Sequence, residues 1–264
     1  MNSVVKNHNV SEWDREWAKQ SETLIVENIR YPVFYLMDEV QFEYLQPLLP
    51  AQGRTLEVGA GSGRMSVFLS SRANLETVLV DCSAEALRVA QNNYRLAKQK
   101  GEFILGEAHR LPFEDDSFDV ILSLGLLEHF EDAQPPVDEM VRVLKRGGLF
   151  YAAIAPRKFR TLTCLDFLIK LDFLTDKSDR HFEQRLSKDE IHQMLKRAGL
   201  EGIDVFPAGV FPPRVPLLPW SKTYRRLETK ALYSLKGFWK RLDRTALAER
   251  LGFYYFAYGY KPED

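Results

Sequence analysis

The chain is poor in cysteine, with Cys82 and Cys164 as its only two in 264 residues. Two cannot build a disulfide framework and their spacing matches no metal-ligand pattern, so reduced thiols and no bound metal are expected. Nor is there an excess of either charge, since 36 Lys and Arg stand against 37 Asp and Glu. A dedicated nucleic-acid binder declares a strong basic excess, so no nucleic-acid partner is expected. No run approaches the roughly 18 apolar residues that span a bilayer. The stretch from Met1 to Asn9 also lacks an apolar signal core, which predicts a cytoplasmic protein. Missing as well are an internal repeat, the Gly-Lys-Ser/Thr of a phosphate loop and the Gly-x-Ser-x-Gly of a nucleophile elbow.

What the chain does have is a glycine turn, in the stretch from Arg54 to Arg64. Leu56 and Val58, preceded by the breakers Pro50 and Gly53, read as a short buried strand ending at Gly59, and Met65 to Leu69 reads as the helix that follows. Gly59, Gly61 and Gly63 lack side chains, so a ligand can lie on bare backbone amides near the helix start. A dinucleotide fingerprint would need its third glycine where Arg64 stands. The pattern is instead Glu-x-Gly-x-Gly-x-Gly, with Glu57 inside the strand end, where a carboxylate can hold an ammonium or sulfonium.

This run resembles the first motif of the class I S-adenosylmethionine-dependent methyltransferases, and the resemblance continues in register. Glu76 to Asp81 reads as a second strand with an acid at its tip. The block from Gly106 to Asp119, through Leu111-Pro112-Phe113, is similar to the family's second block. The turn Lys145-Arg146-Gly147-Gly148, read as the end of the helix opened by Pro135 and Pro136, leads into a strand from Leu149 to Ile154 as it does in the family. The similarity covers about residues 50 to 206 and the last strand. It belongs to the broad branch that holds the quinone-biosynthesis and many small-molecule methyltransferases.

The fold implied is an α/β three-layer sandwich. Its seven-stranded, mostly parallel sheet has an antiparallel last strand, Phe253 to Tyr260, placed at the edge, with helices on both faces and helical insertions. The organisation expected is a helical lid over 1–49, the core over 50–206, a Pro-rich and basic helical insertion over 207–251, and the last strand over 252–264.

The cofactor implied is S-adenosylmethionine. Gly59, Ala60 and Gly61 offer backbone and Glu57 a charge. Asp81, at the tip of the second strand, is placed to accept the ribose hydroxyls; capping the next helix is its other role, although Ser83 already supplies that service. Cys82 lies either against the adenine edge or merely buried. The resemblance implies that Glu107 accepts the adenine amino group and that the Ala108 amide meets a ring nitrogen. Many relatives carry aspartate at that position. Strand four, Phe118 to Ser123, empties into Leu124 to Phe130, the segment that lines the reacting half of the pocket. There His129 reads either as a ring stacked under the cofactor or as a catalytic base for an oxygen acceptor. His181 is a second candidate base, and His109 reads as a loop residue or one facing the site.

The acceptor is expected to be chosen by residues 1 to 31, 157 to 186 and 207 to 250. Trp13 and Trp17 read as core packing or as part of a lid. From Tyr224 to Arg244 a helical pattern sets aromatic and aliphatic residues on one face and Lys and Arg on the other. Such a stripe packs on its own domain, or lies on an anionic membrane at the inner face through 221–250, making the acceptor a small molecule or a lipid- or saccharide-linked one. A non-catalytic S-adenosylmethionine-binding sensor and a nicotinamide dehydrogenase are the competing classes; Arg64 speaks against the latter.

Overall fold

The computed structural model describes residues 10–18, 32–154, 184, 186–210, 230 and 233–264. Helix α1 (Val10–Ala18) is followed by α2 (Pro32–Leu45), whose buried Leu36, Met37, Val40 and Leu45 recur at helical spacing. Strand β1 (Gly53–Val58) then leads through the glycine turn to α3 (Arg64–Arg72), β2 (Leu75–Asp81), α4 (Ala84–Ala97) and β3 (Glu102–Leu105). Next come β4 (Phe118–Leu124), α5 (Gln134–Val143) and β5 (Leu144–Ile154). The chain continues through α6 (Lys188–Arg197), β6 (Glu201–Ala208), α7 (Lys236–Leu242), α8 (Ala246–Leu251) and β7 (Tyr254–Tyr260).

The seven strands form one sheet in the order β3-β2-β1-β4-β5-β7-β6. The first five pair in parallel, and β7 runs antiparallel to both of its neighbours. This corrects one expectation: β7 is not the edge strand but is inserted between β5 and β6. Its buried Tyr255, Phe256 and Ala257 explain the placement, because a strand with apolar residues on both faces is covered best inside a sheet.

Alternation along the strands divides the core in two. Leu56, Val58, Val78, Val80, Ile121 and Phe150 face α5 and α6, where Val137, Met140, Ile191 and Leu195 meet them. Val120, Leu122, Leu149 and Tyr151 face the opposite way, toward Phe42 and Leu45 of α2 and Met65, Phe68 and Leu69 of α3. Helix α4 joins that second layer through Leu79, Ala90 and Tyr94. The result is the expected three layers.

Several boundaries differ from the sequence reading for identifiable reasons. Lys145 does not end α5; it lies in β5, and its Nζ donates to both carboxylate oxygens of Asp119 at 2.9 Å. Strand β3 stops at Leu105, so Glu107 lies beyond it in a turn that bridges to Arg110. The block after β3 is pinned by Arg142, whose guanidinium donates to the carbonyls of Leu111 and Phe113 and to Asp115 and Glu139. Helix α6 opens on a capping box, Ser187 and Glu190 each accepting the other's amide.

The turn after β1 tolerates no side chain at Gly63. Its φ is +65°, and a Cβ there would lie 2.5 Å from the Leu79 methyl of the core. Gly199 has φ +85° with open space around it. Gly199→Ala is therefore expected to cost about 1 kcal/mol from backbone conformation alone, whereas Gly63→Ala adds a core clash and should cost about 2–4 kcal/mol. Denaturant unfolding of the two variants measures the difference.

Candidate functional site

The strand order reverses between β1 and β4, which places a crevice at their carboxyl ends, where open α/β sheets take ligands. The glycine turn forms its floor and is stapled to the neighbouring strand. The Gly59 and Ala60 amides both donate to the Val80 carbonyl, at 2.8 and 3.1 Å. The Gly61 amide donates to Asp81 Oδ2 at 2.8 Å, and the other oxygen of that carboxylate accepts from the Ser83 amide at 2.9 Å. Asp81 thus holds the tips of β1 and β2 in one piece. Its side chain does not cap α4; the Ser83 hydroxyl does, accepting from the Ala86 amide. Burial raises the Asp81 carboxyl above the usual range, against the hydrogen bonds from Ser83 and Gly61, and the charge of Asp14 adds to the rise.

Asp14 belongs to α1, and the way that helix sits was not legible. Trp13, Asp14 and Trp17 share one face of it, and all three turn toward the crevice. Asp14 Oδ1 accepts from the Ser83 hydroxyl at 2.6 Å, fastening α1 to the start of α4. The Trp17 ring lies on the glycine turn, such that a Cβ on Gly61 would be 2.6 Å from it. The Trp13 ring meets His129 edge-on with centroids 4.9 Å apart. One face of α1 thus packs on the start of α4, the glycine turn and His129 together. The clue lay in the i, i+1, i+4 spacing of those three residues.

The remaining candidates fall around this centre. Cys82 is half-buried behind Asp81, and burial together with the Asp81 charge pushes its thiol up to about 12, which keeps it protonated and unreactive. Ala108 is partly buried and Glu107 exposed, both beyond β3. Leu124 closes β4, and Leu126 packs so closely on the turn that a Cβ on Gly59 would be 2.6 Å from its methyl. His129 ends a 3-10 turn, Leu127–His129. The ring of His109 meets Phe130 at 4.9 Å, so it faces this wall. Gln184 brings the following segment in, its amide donating to the Glu128 carbonyl at 2.7 Å. His181 and Cys164 lie outside the described residues, as does most of the insertion between them.

Glu57 sits under the turn rather than open to it. It is 4 % exposed, and its carboxylate accepts from both the amide and the hydroxyl of Ser66 in α3. Burial nevertheless raises it to about 7. Asp38 of α2, ion-paired with Arg64 at 2.8 Å, is raised by burial to about 6. Arg64 therefore has a task of its own: it lies between two buried acids and lowers the pKa of each.

Residues 56–152 match the model of a methyltransferase domain family. The chain is 30% identical over 165 residues, 62% of its own length and 71% of the relative's, to the uncharacterized protein MJ1123 of Methanocaldococcus jannaschii. It is 36% identical to the demethylmenaquinone methyltransferase of Thermotoga maritima over 96 residues, which span 36% of this chain and only 40% of that enzyme. Among solved structures, a SAM-dependent methyltransferase of Thermotoga maritima superposes with a TM-score of 0.58 at 18% identity, over 96% of this chain and 98% of the other.

Glu57 and Asp38 bind protons more tightly folded than unfolded, from ordinary values of 4.5 and 3.8 to about 7 and about 6. Their stabilising contribution is full below the unfolded values and is lost as pH rises through the folded ones. Tm of the ligand-free protein should fall between about pH 5 and about pH 7.5. In Glu57→Gln the fall should be shallower, most visibly above about pH 6, and scanning calorimetry across that range checks it.

Proposed function

We propose that the chain, whose residues 56–152 match a methyltransferase domain family, moves a methyl group from S-adenosylmethionine to a small acceptor, free or carried on a lipid or saccharide. The observation that carries this reading is the glycine turn of β1 hydrogen-bonded to the buried carboxylate at the tip of β2. That pairing suits a ligand which needs bare backbone beside it and a fixed acceptor for paired hydroxyls. The acids near the glycine turn, Asp81 and Asp14 beside it and Glu57 beneath it, favour a cationic ligand, and a bound cation would draw the raised carboxyls of Asp81 and Glu57 back toward ionisation.

S-adenosylmethionine supplies a methyl carbon activated by its sulfonium leaving group. The chain's own residues have the tasks of holding, aligning and drying. Gly59, Ala60 and Gly61 provide the close backbone, Asp81 the ribose contact, and Cys82, Glu107 and Ala108 the border of the adenine. Leu124 lines the reacting end. Residues 1–49 act as a lid through α1, with Trp13 and Trp17 excluding water from the crevice. His129, against Trp13, is the group that would take a proton from an oxygen acceptor.

The acceptor side is walled by rings: Trp13, His129, His109 and Phe130. Flat or aromatic acceptors suit such a wall better than highly charged ones. A relative named for demethylmenaquinone is in keeping with that choice.

Asp81→Asn keeps the size of the side chain and removes its charge. The Kd for S-adenosylhomocysteine should rise at least about tenfold, equivalent to ~1.4 kcal/mol, while the circular dichroism spectrum stays that of the native protein. An unchanged Kd in calorimetry would contradict the ribose assignment. His129→Gln should leave that Kd unchanged and lower kcat, and turnover of a phenolic acceptor panel with methyl-labelled donor reads it.

A further inference from the structure

Helices α7 and α8 are turned the wrong way round for a surface pair. In α7 both lysines point inward, while Arg241 stays exposed: Lys236 Nζ lies 2.6 Å from Glu43 and 3.4 Å from Glu39, and Lys240 Nζ lies 2.7 Å from Glu43, all against α2. Lys240 also sits over the Tyr44 ring at 4.6 Å. At these positions basic side chains face the domain and apolar ones face outward, the opposite of a stripe that packs its apolar face on its own core. Phe238, half a turn from both lysines, is 52 % exposed, and Leu235 is 48 % exposed. Helix α8 repeats the pattern one step later: Ala248 is buried, while Leu247 and Leu251, at i and i+4, are 42 % and 45 % exposed. Among the described residues eight large apolar side chains are exposed, and these four fall within one short stretch of chain. Scattered exposure is ordinary; apolar residues grouped on two successive helices are a candidate interaction surface.

The attachment of the pair is rigid. Asp243, between the helices, accepts from the Gly209 amide at 2.9 Å and the Tyr44 hydroxyl at 3.1 Å. Arg244 stacks on Phe206 at 3.5 Å and pairs with Asp204 at 2.8 Å. These contacts, with the Arg244 amide on the Pro207 carbonyl, hang both helices from the carboxyl end of β6. Strand β6 runs parallel to β5, since both oppose β7, so the apolar stripe lies toward the end of the sheet that carries the crevice.

Charge chooses the occupant. Lys230, Arg241 and Arg250 are exposed in this segment, while its acids are spent or few: Asp243 is buried and Glu249 accepts from the Tyr255 hydroxyl. A second copy docking through the same stripe would bring like cations together. An anionic bilayer surface takes both the leucines and phenylalanine and the cations around them. We propose that α7 and α8 form a peripheral docking surface for anionic membranes, at the end of the molecule where the acceptor enters. Uptake of an acceptor from the lipid phase rests on the methyl-transfer reading; the docking itself does not.

The test is co-sedimentation of the full chain with vesicles of phosphatidylcholine alone and of phosphatidylcholine with about one third phosphatidylglycerol. Binding is expected to the anionic vesicles, weakening as salt rises. Phe238→Ser with Leu247→Ser should reduce the partition roughly tenfold, and Arg241→Ser with Arg250→Ser should reduce both the partition and its salt dependence. Retention of the S-adenosylhomocysteine thermal shift shows that the variants are folded, and its loss in the wild type alone would indict the cofactor reading instead. Wild-type protein that stays in the supernatant, or variants that bind as well as it does, would overturn the proposal. So would a wild-type dimer that Phe238→Ser converts to a monomer, since a second copy would then cover the stripe.

Discussion

The Asp81 carboxylate is the joint on which the site depends. One oxygen holds the Gly61 amide of the β1 turn and the other the Ser83 amide at the start of α4, so two strand tips and a helix start share a single buried charge. Buried carboxylates are costly unless their lone pairs are met, and here backbone amides meet them. That makes the turn stiff before any ligand arrives. A preformed cradle loses less freedom on binding than one that must fold around its guest.

Around that joint lie residues of α1. Asp14 reaches the same Ser83 hydroxyl that caps α4, and Trp13 and Trp17 cover His129 and the glycine turn. Helix α2 serves a different end: its acids Glu39 and Glu43 anchor the cations of α7, and its Asp38 holds Arg64 beneath the turn. One acidic helix thereby joins Arg64, next to the glycine turn, to the C-terminal helices, and it draws Lys236 and Lys240 inward.

The parallel core was readable because its signals are local. Leu56 and Val58, the run from Val78 to Val80 and the run from Val120 to Leu122 are apolar enough to announce buried strands, and Ser187 with Glu190 announces a helix start. The tip positions of Asp81 and Leu124 follow from those strands. What the sequence could not show is long-range. The seat of β7 between β5 and β6 depends on which edge is free, and the Asp14 to Ser83 contact joins residues 69 apart. Glu57 illustrates the same limit: its place in the motif does not tell that its carboxylate meets Ser66, a contact set by the helix packed behind it. Which face of α7 is covered stayed open because an amphipathic pattern fixes two sides of a helix without saying which is covered, and Glu39 and Glu43 turn Lys236 and Lys240 inward.

Hydrogen exchange tests the central claim most directly, because it reads the cradle and its cover together. Addition of S-adenosylmethionine should slow exchange at Val58 to Arg64, at Asp81 to Glu85 and across α1, and NAD should slow none of them. Unchanged exchange with S-adenosylmethionine, or protection of the turn by NAD, would contradict the account.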